Sequence, residues 1–312
     1  MTMKKIFLSL AALLLAACVH GAQPRPVPTV ANLSYGPAKS NVLDLWQAKS
    51  DAPGAPAAPT PLVIFVHGGG FVAGDKAAIS PTLVTTLLAN GISVASINYR
   101  FRTDEPDGVF ACLADVKYAL QFLRYHAAEY NIDKTRVAMM GSSAGAGSTL
   151  WIAFHDDMAD PAAADPVLRE STRISAGVAN ALQATYDLLQ WPKLYGLDPS
   201  NEYVQVDANV LNFYGVKSAA ELQTPEGLRK RAELDMLAML TPDDPPVYVE
   251  SNKPATMPPA SRGDFLHHPI HVKLVYEKAQ QVGVECIAVA PAYGMESKVT
   301  DVEFLIDKLT KK

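Results

Sequence analysis

The sequence predicts an α/β fold in which a mostly parallel sheet is flanked by helices. Apolar β-type runs alternate with helical segments over most of the chain, and this order is typical of parallel strands joined by helices. Two glycine-rich motifs each follow a predicted strand directly. The 312 residues are enough for one sizeable domain of this kind, and a hydrophobic content of 49% is typical of a globular protein.

The predicted elements follow from the spacing of apolar residues. Val109, Cys112, Val116, Leu120 and Leu123 recur at helical spacing, which predicts a helix over residues 109–125. Further helices are predicted at residues 81–90, 146–154, 270–281 and 299–309. Strands are predicted at residues 42–48, 62–66, 92–97, 136–140, 173–179, 247–250 and 284–289. The proline-rich residues 51–61 predict an exposed loop between two strands.

The first glycine-rich motif is Gly141-Ser142-Ser143-Ala144-Gly145, a G-x-S-x-G pentapeptide between a predicted strand and a predicted helix. In that setting the pattern indicates a nucleophile elbow, a strained turn that exposes the hydroxyl of Ser143. Small flanking residues suit such a turn because glycine tolerates unusual backbone angles. A plain Gly/Ser turn is the alternative that the pentapeptide alone leaves open.

The second motif is His67-Gly68-Gly69-Gly70-Phe71, at the end of the strand predicted over residues 62–66. Acyl transfer needs donors aimed at the oxyanion of a tetrahedral intermediate, and glycines let backbone N–H groups approach it. The motif predicts an oxyanion hole formed by the N–H groups of Gly69, Gly70 and Ala144. No G-K-[ST] follows, which argues against a phosphate loop. His67 is expected to support the loop rather than act as a base.

Together these motifs resemble those of the α/β-hydrolase superfamily, and most closely the bacterial carboxylesterases and acetyl esterases with an HGGG loop. Asn98-Tyr99-Arg100 also looks like that family. The resemblance implies the α/β-hydrolase fold, a mostly parallel eight-stranded sheet with helices on both faces. It implies a serine carboxylesterase that hydrolyses short acyl esters, such as acetyl or feruloyl groups on polysaccharide. No cofactor and no metal are expected.

Residues of about 180–240 break the strand–helix alternation, and the resemblance implies a small cap insertion there. The segment holds five large aromatic residues, which either line an acyl or sugar pocket or form the cap's own core. These residues are Trp191, Tyr195, Tyr203, Phe213 and Tyr214.

The resemblance also implies a catalytic histidine after the last strand, but Tyr293 stands at about that place and no histidine follows His271. Histidines instead occur in the loop where the family carries its acid. His268 is the first candidate for the base and His267 the second, with Asp264 as the orienting acid. A metal site built from Asp264, His267 and His271 is a weaker alternative, because zinc sites want a further ligand.

The missing histidine leaves a second class of function open. Under that hypothesis the chain is a catalytically silent hydrolase-fold protein that binds a ligand or partner in the cell envelope. A lid-gated lipase has less support, because no long amphipathic lid stands out in the sequence.

The N-terminus predicts a bacterial lipoprotein leader. A short basic segment precedes the apolar residues 6–17, and Leu15-Ala16-Ala17-Cys18 resembles a lipobox. The resemblance implies removal of residues 1–17, acylation of Cys18, and a lipid-anchored protein of the cell envelope that faces the periplasm or the exterior. An ordinary signal peptide is the alternative. Residues 18–30 contain three prolines and predict an extended tether, so the hydrolase domain is expected over residues 31–312.

The charge balance argues against nucleic acid as a partner. The chain has 27 basic and 32 acidic residues, a formal net charge of −5, and no basic cluster beyond Lys4-Lys5. The expected partners are therefore a small-molecule or polysaccharide-linked ester and, through Cys18, a membrane. The sequence does not indicate an oligomeric state.

Overall fold

The computed structural model describes residues 25–49, 58–198 and 200–311. Its strands are β1 (Val30–Ser34), β2 (Val42–Trp46), β3 (Thr60–Val66), β4 (Ser93–Ile97), β5 (Ile132–Ser142), β6 (Ala176–Asn180), β7 (Val247–Glu250) and β8 (Cys286–Val289). Its helices are α1 (Pro81–Ala89), α2 (Val109–Tyr125), α3 (Ala144–Phe154), α4 (Trp191–Tyr195), α5 (Ala208–Tyr214), α6 (Pro225–Ala232), α7 (Met236–Met239), α8 (Arg262–Leu266), α9 (Ile270–Val282) and α10 (Asp301–Thr310).

The eight strands form one sheet in the order β1-β2-β4-β3-β5-β6-β7-β8. The pairs β1/β2 and β2/β4 are antiparallel, and the remaining neighbours are parallel. This sheet confirms the predicted fold class. β1 is a strand that apolar spacing did not predict, because its residues are largely polar or half exposed.

Two hydrophobic cores lie on the two faces of the sheet, as the alternation of β3 shows. Leu62 and Ile64 belong to a core that includes residues of α2, α3 and α9, whereas Val63 belongs to a core with α1 and α10. Successive strand residues point to opposite faces, so a strand covered on both sides is apolar throughout. Each fully buried Leu, Ile or Val contributes about 1.5–3 kcal/mol of burial free energy.

The carboxyl ends of β3, β5 and β6 meet at one edge of the sheet, because these strands are parallel neighbours. The glycine loop follows β3 and the G-x-S-x-G turn ends β5. The segment containing α4 to α7 runs from β6 to β7, and α8 follows β7. The glycine loop, the serine turn and this segment therefore converge, as expected for a ligand site of an α/β sheet.

The predicted leader and the acylation site Cys18 lie outside the described residues. The described end of the proposed tether packs on the domain, where Trp46 Nε1 donates a hydrogen bond of 2.7 Å to Pro26 O. Within residues 25–49, 58–198 and 200–311, no helix is both long and apolar enough to span a membrane.

Candidate active site

Ser143 occupies a strained turn between β5 and α3. Its φ of 55° and ψ of −118° are unusual for a residue with a side chain. The two flanking glycines make the turn possible: a Cβ on Gly145 would lie 1.9 Å from Val66 O, and one on Gly141 would lie 2.4 Å from the backbone of Gly145. The Ser143 N–H donates to Asn180 O at 2.9 Å, which ties the turn to β6. These contacts explain the spacing of the motif.

The glycine loop after β3 lies against this turn. Gly69 and Gly70 have φ values of 116° and 61°, in the region that favours glycine. The N–H groups of Gly69, Gly70 and Ala144 donate to no acceptor within the described part of the chain. Gly70 and Ala144 line the same pocket as Ser143. The three groups are thus available as donors to an oxyanion, and their role there remains a prediction.

His67 packs between Tyr99 and the glycine loop. Its buried ring stacks on Tyr99 with 4.4 Å between ring centroids, and the Tyr99 hydroxyl donates to His67 O at 2.9 Å. The Nδ1 atom lies 2.7 Å from Gly68 O. Burial lowers the pKa of His67, so the ring is neutral at ordinary pH. These contacts agree with a supporting role and keep His67 within its own loop.

His267 is the histidine that contacts the serine. Its Nε2 lies 3.5 Å from Ser143 Oγ, which is long for a hydrogen bond. Catalytic hydrogen bonds are often long in the free enzyme and shorten when substrate binds. Its Nδ1 lies 2.8 Å from Ala181 O. A carbonyl oxygen only accepts, so we place the proton on Nδ1 and leave Nε2 free to accept the serine proton. Burial is the main cause that lowers the pKa of His267; the Ala181 carbonyl opposes it and the Lys253 charge adds to it.

Of the two candidate bases, the second choice, His267, contacts the serine and the first choice, His268, does not. His268, the first choice, turns away from Ser143 into the protein: its Nδ1 accepts the Ile270 N–H at 3.1 Å, and its ring faces Tyr195 and Tyr293. α8 ends at Leu266, so His267 and His268 both lie in the turn that follows, where their rings have different partners. His268 is fully buried there.

Asp264 does not orient His267 as predicted. Its carboxylate accepts the Ser261 hydroxyl at 2.7 Å and pairs with Lys253 Nζ at 3.1 Å, both near the start of α8. The Ser261 hydrogen bond and then Lys253 lower the pKa of Asp264. The main-chain carbonyl of Ala181, and not the Asp264 carboxylate, contacts His267 Nδ1.

Ala181 and Gln183 are site residues that sequence reasoning missed. Ala181 has a φ of 51°, and its N–H donates to Glu250 O at 2.7 Å, which fixes the direction of its carbonyl. Gln183 Nε2 donates to Leu266 O at 2.9 Å. It also lies 3.0 Å from His267 Nδ1, but both groups are donors when Nδ1 donates to Ala181 O, so this contact is not a hydrogen bond. A main-chain acceptor has no signature in the sequence, and a lone glutamine in a cap segment has none either.

His271 is part of the protein interior and has no free ring nitrogen. Its Nδ1 accepts the Ala184 N–H at 3.3 Å, and its Nε2 lies 2.9 Å from the Tyr195 hydroxyl. Burial lowers the pKa of His271 to about 3. Across the described ranges, no group of three or more His, Cys, Asp or Glu residues is placed to hold a metal ion.

A pocket with a volume of about 270 Å³ opens beside Ser143 and His267. Its lining is mostly apolar and includes four aromatic side chains, those of Phe71, Tyr186, Trp191 and Phe213. The two alternatives for the cap aromatics therefore both apply. Trp191 and Phe213 line the pocket, whereas the remaining three cap aromatics are not among its lining residues and pack within the cap or against α8; these are Tyr195, Tyr203 and Tyr214.

Tyr293 lies just after β8, where the resemblance implied a histidine. Its side chain is 38% exposed, and its nearest aromatic contact is with His268 at 6.3 Å between centroids. It is not among the described residues that line the pocket. Among the described contacts, none joins Tyr293 to Ser143, whereas His267, from the segment after β7, contacts the serine.

A mostly parallel eight-stranded sheet that presents a serine on a strained turn between strand and helix is the arrangement of the α/β-hydrolases, and this chain has that fold. Within that superfamily the chain belongs to the BD-FAE family, because the family model matches residues 51–257, more than half of the sequence.

The chain is also similar to individual proteins that are named as esterases. The probable isoprenylcysteine alpha-carbonyl methylesterase ICMEL1 of Arabidopsis thaliana is 32% identical over 159 residues, which is 51% of this chain and 31% of that protein. Esterase LipQ of Mycobacterium tuberculosis is 29% identical over 175 residues, 54% of this chain and 38% of that protein. The chain thus spans about a third of the length of these relatives.

Solved structures share the fold at low identity. A truncated form of a carbohydrate esterase from gut microbiota aligns with a TM-score of 0.67 and 16% identity, over 93% of this chain and all 100% of that one. The thermophilic esterase Est2 of Thermogutta terrifontis aligns with a TM-score of 0.59 and 18% identity, over 85% of this chain and 81% of that one. At these identities the likeness shows the fold alone.

Proposed function

We propose that this chain is a serine carboxylesterase that hydrolyses short acyl esters. The contact between Ser143 Oγ and His267 Nε2, beside three main-chain donors that have no acceptor among the described residues, carries the proposal. A nucleophile, a base in contact with it and an oxyanion site are the parts that acyl transfer requires. The named relatives that are esterases support the same class of reaction.

The proposed reaction has two steps. His267 Nε2 takes the hydroxyl proton of Ser143 as Oγ attacks the ester carbonyl, and the N–H groups of Gly69, Gly70 and Ala144 hold the oxyanion. The imidazolium then gives that proton to the departing alcohol oxygen, which leaves an acyl group on Ser143. A water molecule, deprotonated by the same nitrogen, then attacks the acyl carbonyl; the bond to Ser143 Oγ breaks, the acid leaves, and the imidazolium returns its proton to Oγ. Throughout, Ala181 O accepts the Nδ1–H and holds the ring in place.

Hydrolysis of p-nitrophenyl acetate and butyrate by residues 19–312 tests the proposal. We expect Ser143→Ala to abolish turnover, and Ser142→Ala to retain it, because Ser142 is the neighbouring serine outside the turn apex. A protein without turnover, or equal turnover in wild type and Ser143→Ala, would contradict the esterase. That result would favour the silent binding protein, whose ligand would then be sought in the pocket.

We further propose acetyl or feruloyl groups on polysaccharide as the natural ester. A volume of about 270 Å³ with aromatic side chains in its lining suits a short acyl group or a single aromatic ring. Release of acetate from acetylated xylan and of ferulate from methyl ferulate would identify the acyl group. If the enzyme hydrolyses p-nitrophenyl acetate but releases acid from neither, this choice of acyl group is wrong.

We also propose that Cys18 is acylated and anchors the protein in the cell envelope. The proposal rests on the lipobox-like Leu15-Ala16-Ala17-Cys18. Expression of the full chain in a bacterium should place it in the membrane fraction, and Cys18→Ser should release it or leave the leader uncleaved. Identical fractionation of both proteins would contradict a lipid anchor.

A further inference from the structure

Two arginines line the pocket, and no carboxylate is among its described lining residues. Arg102 lies a few residues after β4, and its main-chain N–H donates to Phe71 O at 2.8 Å. Arg262 begins α8, the helix whose end carries His267. The main chain of Arg102 is thus tied to the glycine loop, and Arg262 lies on the short helix that precedes His267. Neither was singled out by the sequence motifs.

Arg262 is unpaired within the described residues. Its side chain is exposed, and it makes no ion pair or hydrogen bond to any other described residue. The nearest acid along its own helix, Asp264, is already bound by Lys253 and Ser261. The positive charge of Arg262 is therefore available to a ligand of the pocket.

Arg102 is held in place by neutral acceptors. Its Nε donates to Gly70 O at 3.3 Å, and its Nη1 donates to Asn209 O at 3.3 Å and to the Asn212 side chain. None of these hydrogen bonds within the described chain uses Nη2. Burial lowers the pKa of Arg102, and the charge of Arg262 acts in the same direction. The guanidinium is thus positioned, and it remains charged because arginine does not deprotonate in proteins.

Asp207 is the acid that interacts with both guanidiniums. Its carboxylate caps α5 by accepting the N–H groups of Asn209 and Val210 at 2.9 and 3.0 Å. Arg102 and Arg262 each interact with it electrostatically. This single carboxylate already accepts two N–H groups at the start of α5, and it interacts with two arginines. The positive charge at the pocket therefore exceeds the negative charge.

We propose that this pocket selects esters that carry an anionic group, a carboxylate above all, which Arg102 and Arg262 bind while Ser143 attacks the ester carbonyl. The inference deepens the esterase proposal and rests on it. Guanidinium groups suit carboxylates because their N–H bonds match the two oxygens, and charge-assisted hydrogen bonds are stronger than neutral ones. With an acetyl or feruloyl acyl group, the carboxylate lies on the alcohol side of the ester; a carboxylate on the acyl side would replace that choice of acyl group.

Two matched pairs of substrates test the proposal and distinguish a carboxylate on the acyl side of the ester from one on the alcohol side. Mono-p-nitrophenyl glutarate against p-nitrophenyl pentanoate places the charge on the acyl side, and 4-acetoxybenzoate against 4-acetoxybenzamide places it on the alcohol side. We expect the wild-type kcat/KM to favour the anionic member of one pair by about 10-fold or more, as for hydrogen bonds to charged groups. Arg262→Gln should remove most of that ratio, whereas Arg229→Gln, at an exposed arginine outside the pocket, should preserve it.

Binding of the same four esters to the Ser143→Ala protein, by equilibrium dialysis, supplies a readout that does not need turnover. Tighter binding of an anionic ester that weakens with added salt supports the inference. If the wild type hydrolyses none of the esters while Ser143→Ala binds the anionic ester more tightly, the esterase proposal is wrong and the proposal of an anion-binding pocket is supported. Ratios near one for both pairs, or a ratio that Arg262→Gln does not change, would overturn the anion pocket.

Discussion

Replacing His267 by asparagine removes Nε2, the nitrogen that lies 3.5 Å from Ser143 Oγ. The shorter side chain still places an amide N–H near the position of Nδ1, where it can donate to Ala181 O. The substitution therefore deletes the base and preserves the hydrogen bond that holds it. Because that hydrogen bond survives, we expect the free energy of unfolding to fall by no more than about 1 kcal/mol.

The expected loss of activity follows from the role of the nitrogen. A positioned general base contributes about 10²- to 10⁴-fold in rate, which corresponds to about 3–5 kcal/mol of transition-state stabilisation. We expect kcat/KM for p-nitrophenyl acetate to fall by this factor in His267→Asn. The assay follows p-nitrophenolate release, and thermal unfolding followed by circular dichroism verifies that the variant is folded.

His268→Asn is the matched control. Its amide oxygen can still accept the Ile270 N–H that His268 Nδ1 accepts in the structure, so the fold should survive with a modest loss of stability. Activity should remain close to that of the wild type, because this ring does not contact the serine. A folded His268→Asn protein that loses activity beside an active His267→Asn protein would refute the assignment of the base.

Three further predictions follow from the same contacts. Burial holds the pKa of His267 below its usual 6.5, so kcat/KM should fall only as the pH drops below that value. Lys253→Gln should raise this pKa and shift the acidic limb of the pH profile to higher pH. Gly145→Ala should lower the free energy of unfolding by about 3 kcal/mol or more in urea, because its Cβ would lie 1.9 Å from a carbonyl oxygen of β3. Asp44→Asn should cost about 3 kcal/mol in the same assay, because it leaves Lys76 buried without its partner at 2.6 Å.

Each of these predictions has an internal control. Lys39→Gln, at an exposed lysine beside β1 and β2, should leave the pH profile unchanged. Gly91→Ala has no atom within 4 Å of its Cβ and should cost about 1 kcal/mol, from its φ of 71° alone. If Gly145→Ala costs no more than Gly91→Ala, the packing argument is wrong. The pair Asp44→Asn with Lys76→Met should be more stable than Asp44→Asn alone.

Most of the fold could be predicted from the sequence, because apolar spacing reports burial directly. The α2 helix and the β7 strand have the bounds that spacing predicts, residues 109–125 and 247–250. The β5 strand is longer than predicted: it begins at Ile132, in a polar stretch whose pairing with β3 the side chains do not signal. β1 was not predicted for a related reason: its pairing with β2 gives backbone groups their hydrogen-bond partners without burying many side chains.

The site was predictable where its chemistry lies in a motif. Ser143 and the glycines of its loop have fixed spacing, because the backbone itself must adopt the required shape. The choice between His267 and His268 depends on which of two adjacent residues faces the sheet edge after α8 ends, and local sequence does not encode that direction. The Ala181 carbonyl was beyond prediction, since any residue type carries the same oxygen.

The main-chain carbonyl beneath the imidazole also changes the resting charge of the site. A serine–histidine–aspartate triad carries one negative charge before reaction, because its buried acid is ionised. With Ala181 O in that position, the pair of Ser143 and His267 is neutral at rest. A fixed negative charge about 8 Å from a substrate carboxylate would cost about 2 kcal/mol at an effective dielectric constant of about 20. An anionic ester that enters this site avoids that repulsion and is attracted by Arg102 and Arg262, whose charges Asp207 offsets in part.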